Sequence, residues 1–596
     1  MKSWLQSYRG YFSFVLPLPL ILAAGSLFQW QAPFSMEWEL PLVLLLLLLV
    51  SCLISHRRGT PLLPQVRVLW WLTLLAVVCD CCCNVGAFAA PFQLPLSVFM
   101  TLGAFCVLWS VLRYASLLWW FPFLFLQLAQ IGAYVQYGTR LNSLVLAETL
   151  EASGDDFAAY LSGTNLLLVI AAVVGVGVFC LVLSLLMRQV RSKLSLFNAG
   201  GLFCLLSLLL GGAVPSHHRS IDYYWPVVGG GAELTEALYE AFYHNQTTVN
   251  LAENLHSPTE KPSSMTTLKG GEGVVLVVHI GESVRTDRMS INGYERNTTP
   301  WLATRSDIIN FSDCISAAHD TCQAQIAIMT NARRNVYDSD PVMQPTTGSV
   351  LDLFREHGFR VYSFFGRRIG QQLKYDRVVR LLTACSEERF NAPGSPWTSV
   401  PQMLDVLQRV PRNHNLLFFI NNEGSHTPFN HYDTDHPPFS PSVQSFDNPA
   451  AHAEEVNNAY DNTIHYTDEF IRRVCVALEG RPYIYLYVSD HGEFLGHDGI
   501  WGRAALGESR FSYHDTDGCR VGMFVLTSPE FNSLHPHISA GLEQLRRYVD
   551  MTVAHEHIFH TLLGLFGIQT EYYDPSLDLS SPHAQPYVGP MPAAEK

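Results

Sequence analysis

The apolar run Tyr483-Ile484-Tyr485-Leu486-Tyr487-Val488 stops at Ser489-Asp490-His491-Gly492-Glu493, so a carboxylate and an imidazole stand where a strand should end. The run reads as a buried strand of an α/β sheet. Open sheets of that class build their sites at the carboxyl ends of the strands. A second run, Val274 to Ile280, ends the same way in Gly281-Glu282-Ser283. Oxygen donors from two strand ends plus one imidazole are the donor types that hold a divalent metal. An Asp-His pair alone reads as structural; the second acidic strand end in the same domain is what favours a metal.

These strand ends belong to a segment in which strands and helices alternate. The pattern predicts strands over 274–280, 359–365, 416–421, 483–488 and 521–527, and helices over 321–331, 347–357, 457–478 and 546–566. Such alternation implies a mostly parallel sheet covered by helices on both faces. His279 falls on the first strand with its side chain expected on the face away from Glu282. His465 falls in a helical pattern and reads as packing. The expected domain spans 273–570, followed by an extended, proline-bearing tail at 571–596.

The first part of the chain is of another kind. Seven apolar runs, roughly 11–29, 39–56, 66–87, 95–112, 115–136, 164–187 and 195–214, are long enough to cross a bilayer. Residues 1–214 are therefore expected to form a transmembrane domain. Lys2, Arg9, Arg57, Arg58, Arg67, Arg113, Arg188, Arg191 and Lys193 fall on one side of these runs, while Glu37, Glu39, Glu148, Glu151, Asp155 and Asp156 fall on the other. The positive-inside bias puts the N-terminus in the cytoplasm and, with an odd number of spans, everything after Val214 outside it. Residues 215–272 read as an interfacial helix, introduced by Tyr223-Tyr224-Trp225, or equally a helix packed on the outer domain, and a linker rich in Pro, Ser, Thr and Gly.

The 596 residues carry a formal charge of -14, with 38 basic against 52 acidic side chains. That balance argues against a nucleic-acid partner. Eight of the thirteen cysteines lie in the apolar half and read as small buried hydrophobes. The outer five, Cys314, Cys322, Cys385, Cys475 and Cys519, could pair in an oxidising compartment, in an order the sequence does not reveal.

Four blocks in order, Gly281-Glu282-Ser283-Val284-Arg285 with Ser290 to Pro300, Gly424-Ser425-His426-Thr427-Pro428, Tyr460-Asp461-Asn462-Thr463-Ile464, and Ser489 to Glu493 with Leu495-Gly496, resemble the bacterial phosphoethanolamine transferases. These are membrane-anchored relatives of the alkaline phosphatases and sulfatases. The resemblance implies an alkaline phosphatase-like α/β/α sandwich in the periplasm, anchored in the inner membrane. It implies a metal, normally zinc, held by Glu282, Thr321, Asp490 and His491, with Thr321 as nucleophile; manganese and magnesium are the lesser alternatives. Thr321 precedes a helical stretch, where a helix N-terminus favours phosphoryl oxygens. A simple capping threonine is the competing reading, and Thr330 a rival nucleophile. His426 matches a family position that contacts substrate or a second metal. Arg503 stands where the family has a further histidine, so Arg503, His497 or His514 would take its place at the substrate.

The activity so implied moves phosphoethanolamine from phosphatidylethanolamine, through a threonine-bound intermediate, to a lipid or glycan acceptor in the envelope such as lipid A or a lipopolysaccharide core sugar. A phosphoglycerol transferase of the same superfamily is the alternative enzyme. A non-catalytic, lipid-binding regulator is the alternative of another class.

Overall fold

A computed structural model describes residues 273–333, 348–366, 373–391, 396–429, 436–442, 449–497, 500–502 and 518–587, with scattered positions before them. The seven apolar runs, Arg503 and His514 lie outside the described residues, apart from isolated positions such as Val111 and Ile170. Among the described residues no helix is long and apolar enough to cross a membrane. The chain divides into two compact units, and the fold below belongs to the unit that includes Ala241–Lys596.

Eight strands make one sheet: β1 Val275–Gly281, β2 Ile309–Ile315, β3 Phe359–Phe365, β4 Glu388–Asn391, β5 Asn415–Asn421, β6 Tyr483–Ser489, β7 Arg520–Thr527 and β8 Val553–Ala554. Among the described residues, eight α-helices accompany them: α1 Thr321–Met329, α2 Val350–Glu356, α3 Leu373–Leu382, α4 Ser399–Arg409, α5 Ala453–Ala477, α6 Pro529–Leu534, α7 Pro536–Leu545 and α8 Glu556–Phe566. The strand order is β8-β2-β7-β6-β1-β5-β3-β4. Only β7 runs against its neighbours, β2 and β6; the other pairs are parallel. The mostly parallel sheet expected from the alternation is thus present.

Central strands are buried on both faces, which is why they read as continuous apolar runs. Val274 just before β1, and Leu276, Val278 and Ile280 on it, join the main core together with residues of α1, α2, α3 and α8. Phe354, Phe359 and Phe566 tie α2, β3 and α8 together, edge to face, at centroid separations of 5.0, 5.1 and 5.8 Å. The alternate residue His279 points to the other face, as its strand position requires, and meets Phe470 of α5. Its Nδ1 lies 2.7 Å from the Tyr485 hydroxyl.

Several elements differ from expectation. The helix expected over 546–566 is three pieces, a 3-10 turn at Arg546–Tyr548, strand β8 and helix α8. The Val553 and Ala554 backbones pair with Cys314 and Ile315, and a ladder bond there replaces a helical one. α1 ends at Met329, where the Thr330 backbone turns extended. From Asp574 to Ala584 the chain is not extended: successive turns bury Leu579, with Asp574 accepting from Ser576 and Asp578 from Ser580. Strands β2 and β4 and helices α3, α4, α6 and α7 were not expected. Cys314, Cys322, Cys385, Cys475 and Cys519 are thiols, not disulfides.

Burial pushes the His279 imidazole down to about 3. The unfolded chain takes up this proton near pH 6.5, the folded chain only near 3, so stability is full above 6.5 and falls with pH below it. The slope is about 1.4 kcal/mol per pH unit for each such histidine. Urea unfolding measured from pH 7 to 4.5 should show His279→Gln with a slope flatter than the parent by about that amount. Equal slopes would mean that His279 is charged in the fold.

Candidate metal and phosphoryl site

β1 and β6 are parallel neighbours in a register that sets Gly281 against Ser489. Glu282 and Asp490-His491 are therefore delivered side by side at the carboxyl edge. The Asp490 N–H donates to the Gly281 carbonyl (3.1 Å), which extends the ladder one step past the strand end. Gly281 leaves room for the Tyr487 ring: a Cβ there would lie 2.7 Å from Tyr487 Cζ. Ser283 turns the chain with φ of 59°. That left-handed turn is held by the Tyr460 hydroxyl, which donates to the Ser283 carbonyl (2.6 Å) and accepts from the Arg285 N–H (2.9 Å).

The third contribution is α1, which follows β2. Its cap is Asp320 and not Thr321: Asp320 Oδ1 accepts from the Gln323 N–H at 3.0 Å, while Oδ2 pairs with Lys374 at 2.7 Å. Thr321 is thus the first helical residue, and its hydroxyl is released from capping. One turn on, Gln325 donates to Asn421 Oδ1 (3.1 Å), and Asn421 Nδ2 donates to the Ile280 carbonyl (3.1 Å). These bonds fix α1 against β1 and β5. Thr330, at the far end of α1, spends its hydroxyl on the Ile326 carbonyl.

Four side chains converge here. Thr321 Oγ1 lies 3.3 Å from Glu282 Oε2 and 3.3 Å from His491 Nε2. His491 Nε2 lies 3.3 Å from Glu282 Oε1 and 3.5 Å from Asp490 Oδ2. Glu282, Asp490 and His491 are essentially excluded from solvent, and Thr321 is 5% exposed. Asp490 Oδ1 accepts from the N–H groups of Ser283 (3.0 Å) and His491 (2.8 Å), which turns Oδ2 toward the imidazole. His491 Nδ1 lies 2.8 Å from the Gly492 carbonyl. A carbonyl only accepts, so Nδ1 carries a proton, and Nε2 is the ring nitrogen that faces the cluster.

Donors about 2.0–2.2 Å from a tetrahedral ion stand about 3.3–3.6 Å apart. The separations above match that edge length. An octahedral ion with bonds of about 2.0–2.1 Å would bring neighbouring donors to about 2.8–3.0 Å. Glu282, Asp490 and His491 form a group able to hold a metal ion, its ligand atoms all within 4.8 Å of one another.

Behind the cluster lies His555, which no sequence pattern singled out. Its Nδ1 accepts from the Ala317 N–H (3.3 Å) and its Nε2 donates to the Ser489 carbonyl (3.0 Å). Burial pushes the imidazole down to about 3, so it serves as a neutral strut between the loop after β2 and the end of β6. The Ser316 hydroxyl adds a bond to the Asp490 carbonyl. His555 stands among other histidines at the start of α8, so its sequence context carries no strand-end signal. Lys374 and Asp320 were also unmarked, since charged residues in loops ordinarily read as solvated.

Among the described residues, the candidates His426 and His497 are not part of that metal-binding group, and Arg503 and His514 lie outside the described residues. His426 is half-buried on the turn after β5, with Nδ1 donating to the Thr427 carbonyl at 2.6 Å. That turn touches the site through the Ser425 N–H, which donates to the Glu282 carbonyl at 2.9 Å. His497 is exposed, beside the small hairpin Phe494–Leu495 and Trp501–Gly502. His465 is half-buried on α5 against Tyr466, in keeping with a packing role.

The sulfatase family profile matches residues 274–568. Phosphoethanolamine transferase EptA of Salmonella typhimurium is 24% identical over 569 residues, covering 88% of this chain and 97% of the relative. EptA of Helicobacter pylori is 25% identical over 487 residues, covering 78% and 85%. Among solved structures, the integral membrane lipooligosaccharide phosphoethanolamine transferase A from Neisseria meningitidis superposes with a TM-score of 0.65 at 19% identity, over 86% of this chain and 97% of that one. It shares the fold of this chain. With the sulfatase profile over the sheet and relatives matched along nearly their whole length, the chain belongs to the phosphoethanolamine transferase family of the alkaline phosphatase and sulfatase superfamily.

Proposed function

We propose that the protein is a metal-dependent phosphoethanolamine transferase, with Thr321 as nucleophile and Glu282, Thr321, Asp490 and His491 as metal ligands. The observation that supports it most directly is the convergence of four buried side chains, with His491 Nε2 3.3–3.5 Å from donors of Thr321, Glu282 and Asp490. Zinc fits that spacing and the mixed oxygen and nitrogen set. Magnesium fits neither, and calcium prefers oxygen alone. When bound, the cation would lower the cost of ionising the threonine hydroxyl and offset charge on the phosphoryl oxygens.

Thr321 Oγ attacks the phosphorus of phosphatidylethanolamine. The bond to the diacylglycerol oxygen breaks, that oxygen takes a proton, and phosphoethanolamine remains on Thr321. An acceptor hydroxyl or phosphate of an envelope lipid or glycan then attacks the same phosphorus and returns the threonine. The relative EptA supports phosphoethanolamine as the transferred group, and the relative Kdo(2)-lipid A phosphoethanolamine 7''-transferase supports a lipid A acceptor. A lipid donor accounts for the apolar runs before Val214: a catalytic domain over 273–570, tethered to the inner membrane and facing the periplasm, releases diacylglycerol directly into the bilayer. His426 at the turn beside Glu282 is assigned to substrate, with His497, Arg503 and His514 as further substrate contacts.

Incubation with phosphatidylethanolamine should add one phosphoethanolamine mass to the peptide that contains Thr321. Thr321→Ala should lose that adduct and at least about a thousandfold in turnover. An adduct that persists in the variant would place the nucleophile elsewhere. Chelation should lower the melting temperature, and zinc at about 100 times its Kd should restore about 2.7 kcal/mol. His491→Ala should make stability insensitive to zinc; a response equal to the parent's would remove His491 from the ligand set.

A further inference from the structure

Two adjacent asparagines close β5, and they differ in kind. Asn421 is used by the scaffold: its Nδ2 donates to the Ile280 carbonyl, and its Oδ1 accepts from Gln325 and from the Tyr375 hydroxyl. Asn422 is 3% exposed, yet neither its Oδ1 nor its Nδ2 has a hydrogen-bond partner among the described residues. Leaving both ends of a buried amide unsatisfied is costly, and an apolar side chain of the same volume would not incur that cost. Packing therefore gives no reason for an amide at this position.

The backbone that carries Asn422 is fixed on two sides. The Gly366 N–H, just past β3, donates to the Asn421 carbonyl at 3.0 Å. A Cβ on Gly366 would stand 3.0 Å from Asn422 Oδ1, so the glycine leaves space beside the amide. Two residues on, Gly424 turns with φ of 45° against Glu282; a Cβ there would lie 3.0–3.2 Å from the Glu282 backbone and Cβ. Asn422 is thus held rigidly at the edge that carries the four-donor cluster, one short turn from a proposed ligand.

We propose that Asn422 recognises the zwitterionic headgroup of the donor, with Oδ1 accepting from the ammonium and Nδ2 donating to a phosphoryl oxygen. An amide suits this ligand because it offers an acceptor and donors without net charge. A carboxylate would hold the ammonium but repel the phosphate. The assignment deepens the phosphotransfer reading and rests on it.

The test is Asn422→Leu in the full chain, with phosphatidylethanolamine and its N-acetyl derivative as donors. The variant should melt no lower than the parent, because it removes unsatisfied polar atoms, and should still form the Thr321 adduct at saturating donor. Its KM for phosphatidylethanolamine should rise at least about tenfold with little change in kcat. The parent should lose a similar factor on the N-acetyl donor, and the variant should lose nothing further. An unchanged KM in the variant, or a lowered melting temperature accompanying the KM shift, would overturn the assignment. Absence of the adduct in the parent would instead overturn the phosphotransfer reading.

Discussion

Two carboxylates and an imidazole, buried within 4.8 Å of one another, form an arrangement that a fold does not hold without a counter-charge. At an effective dielectric of about 20, unit negative charges at that spacing repel by about 3 kcal/mol, before the cost of taking either out of water. His491 Nδ1 is committed to the Gly492 carbonyl, which leaves Nε2 as the ring nitrogen facing the two acids. A divalent cation at the proposed site would resolve the conflict, and much of the surrounding structure keeps these groups together. The Gly281–Ser489 register brings the acids together, and two backbone N–H groups hold Asp490 Oδ1 so that Oδ2 faces inward.

Further supports act at one remove. Tyr460 of α5 bridges the Ser283 carbonyl and the Arg285 N–H, stabilising a left-handed turn that a serine would not choose alone. One residue on, Asp461 receives Tyr294 and Arg296, and Asp468 caps the Trp301 and Leu302 N–H groups. The segment from Arg285 to Leu302 is therefore laced to one long helix. On the opposite side of the site, His555 joins β6 to the loop that leads into α1. The proposed ligands come from three separate stretches of chain, and these cross-links hold their spacing.

What could be read from the sequence follows from this division. Central strands buried on both faces must be apolar throughout, so β1, β5 and β6 and the acids at their ends were visible as runs and stops. β2 was not, because Asn310, Ser312 and Asp313 interrupt it, and its pairing with the antiparallel β7 sets its register instead of composition. α3 and α4 are amphipathic and charged on one side, and Pro401 obscures the first turn of α4. The cap of α1 was not legible for a related reason. Asp and Thr both cap helices, and only the position of the Gln323 N–H distinguishes them. His555 and Lys374 were invisible because their roles depend on partners far away in the chain.

The site separates chemistry from selection. Nucleophile and proposed ligands sit on two strand ends and one helix start, the most constrained points of the fold. Asn422 and His426 sit on the turn after β5, held to Glu282 by the Ser425 N–H and by the close approach of Gly424. A turn tied to the centre by backbone contacts can exchange side chains without moving the reacting atoms. The rigid part accounts for a sulfatase profile that spans residues 274–568, since any phosphoryl or sulfuryl ester poses the same charge problem. The turn is where a headgroup with a positive amine beside a negative phosphate can be told from one without, and an uncharged amide buried without a partner is suited to that distinction.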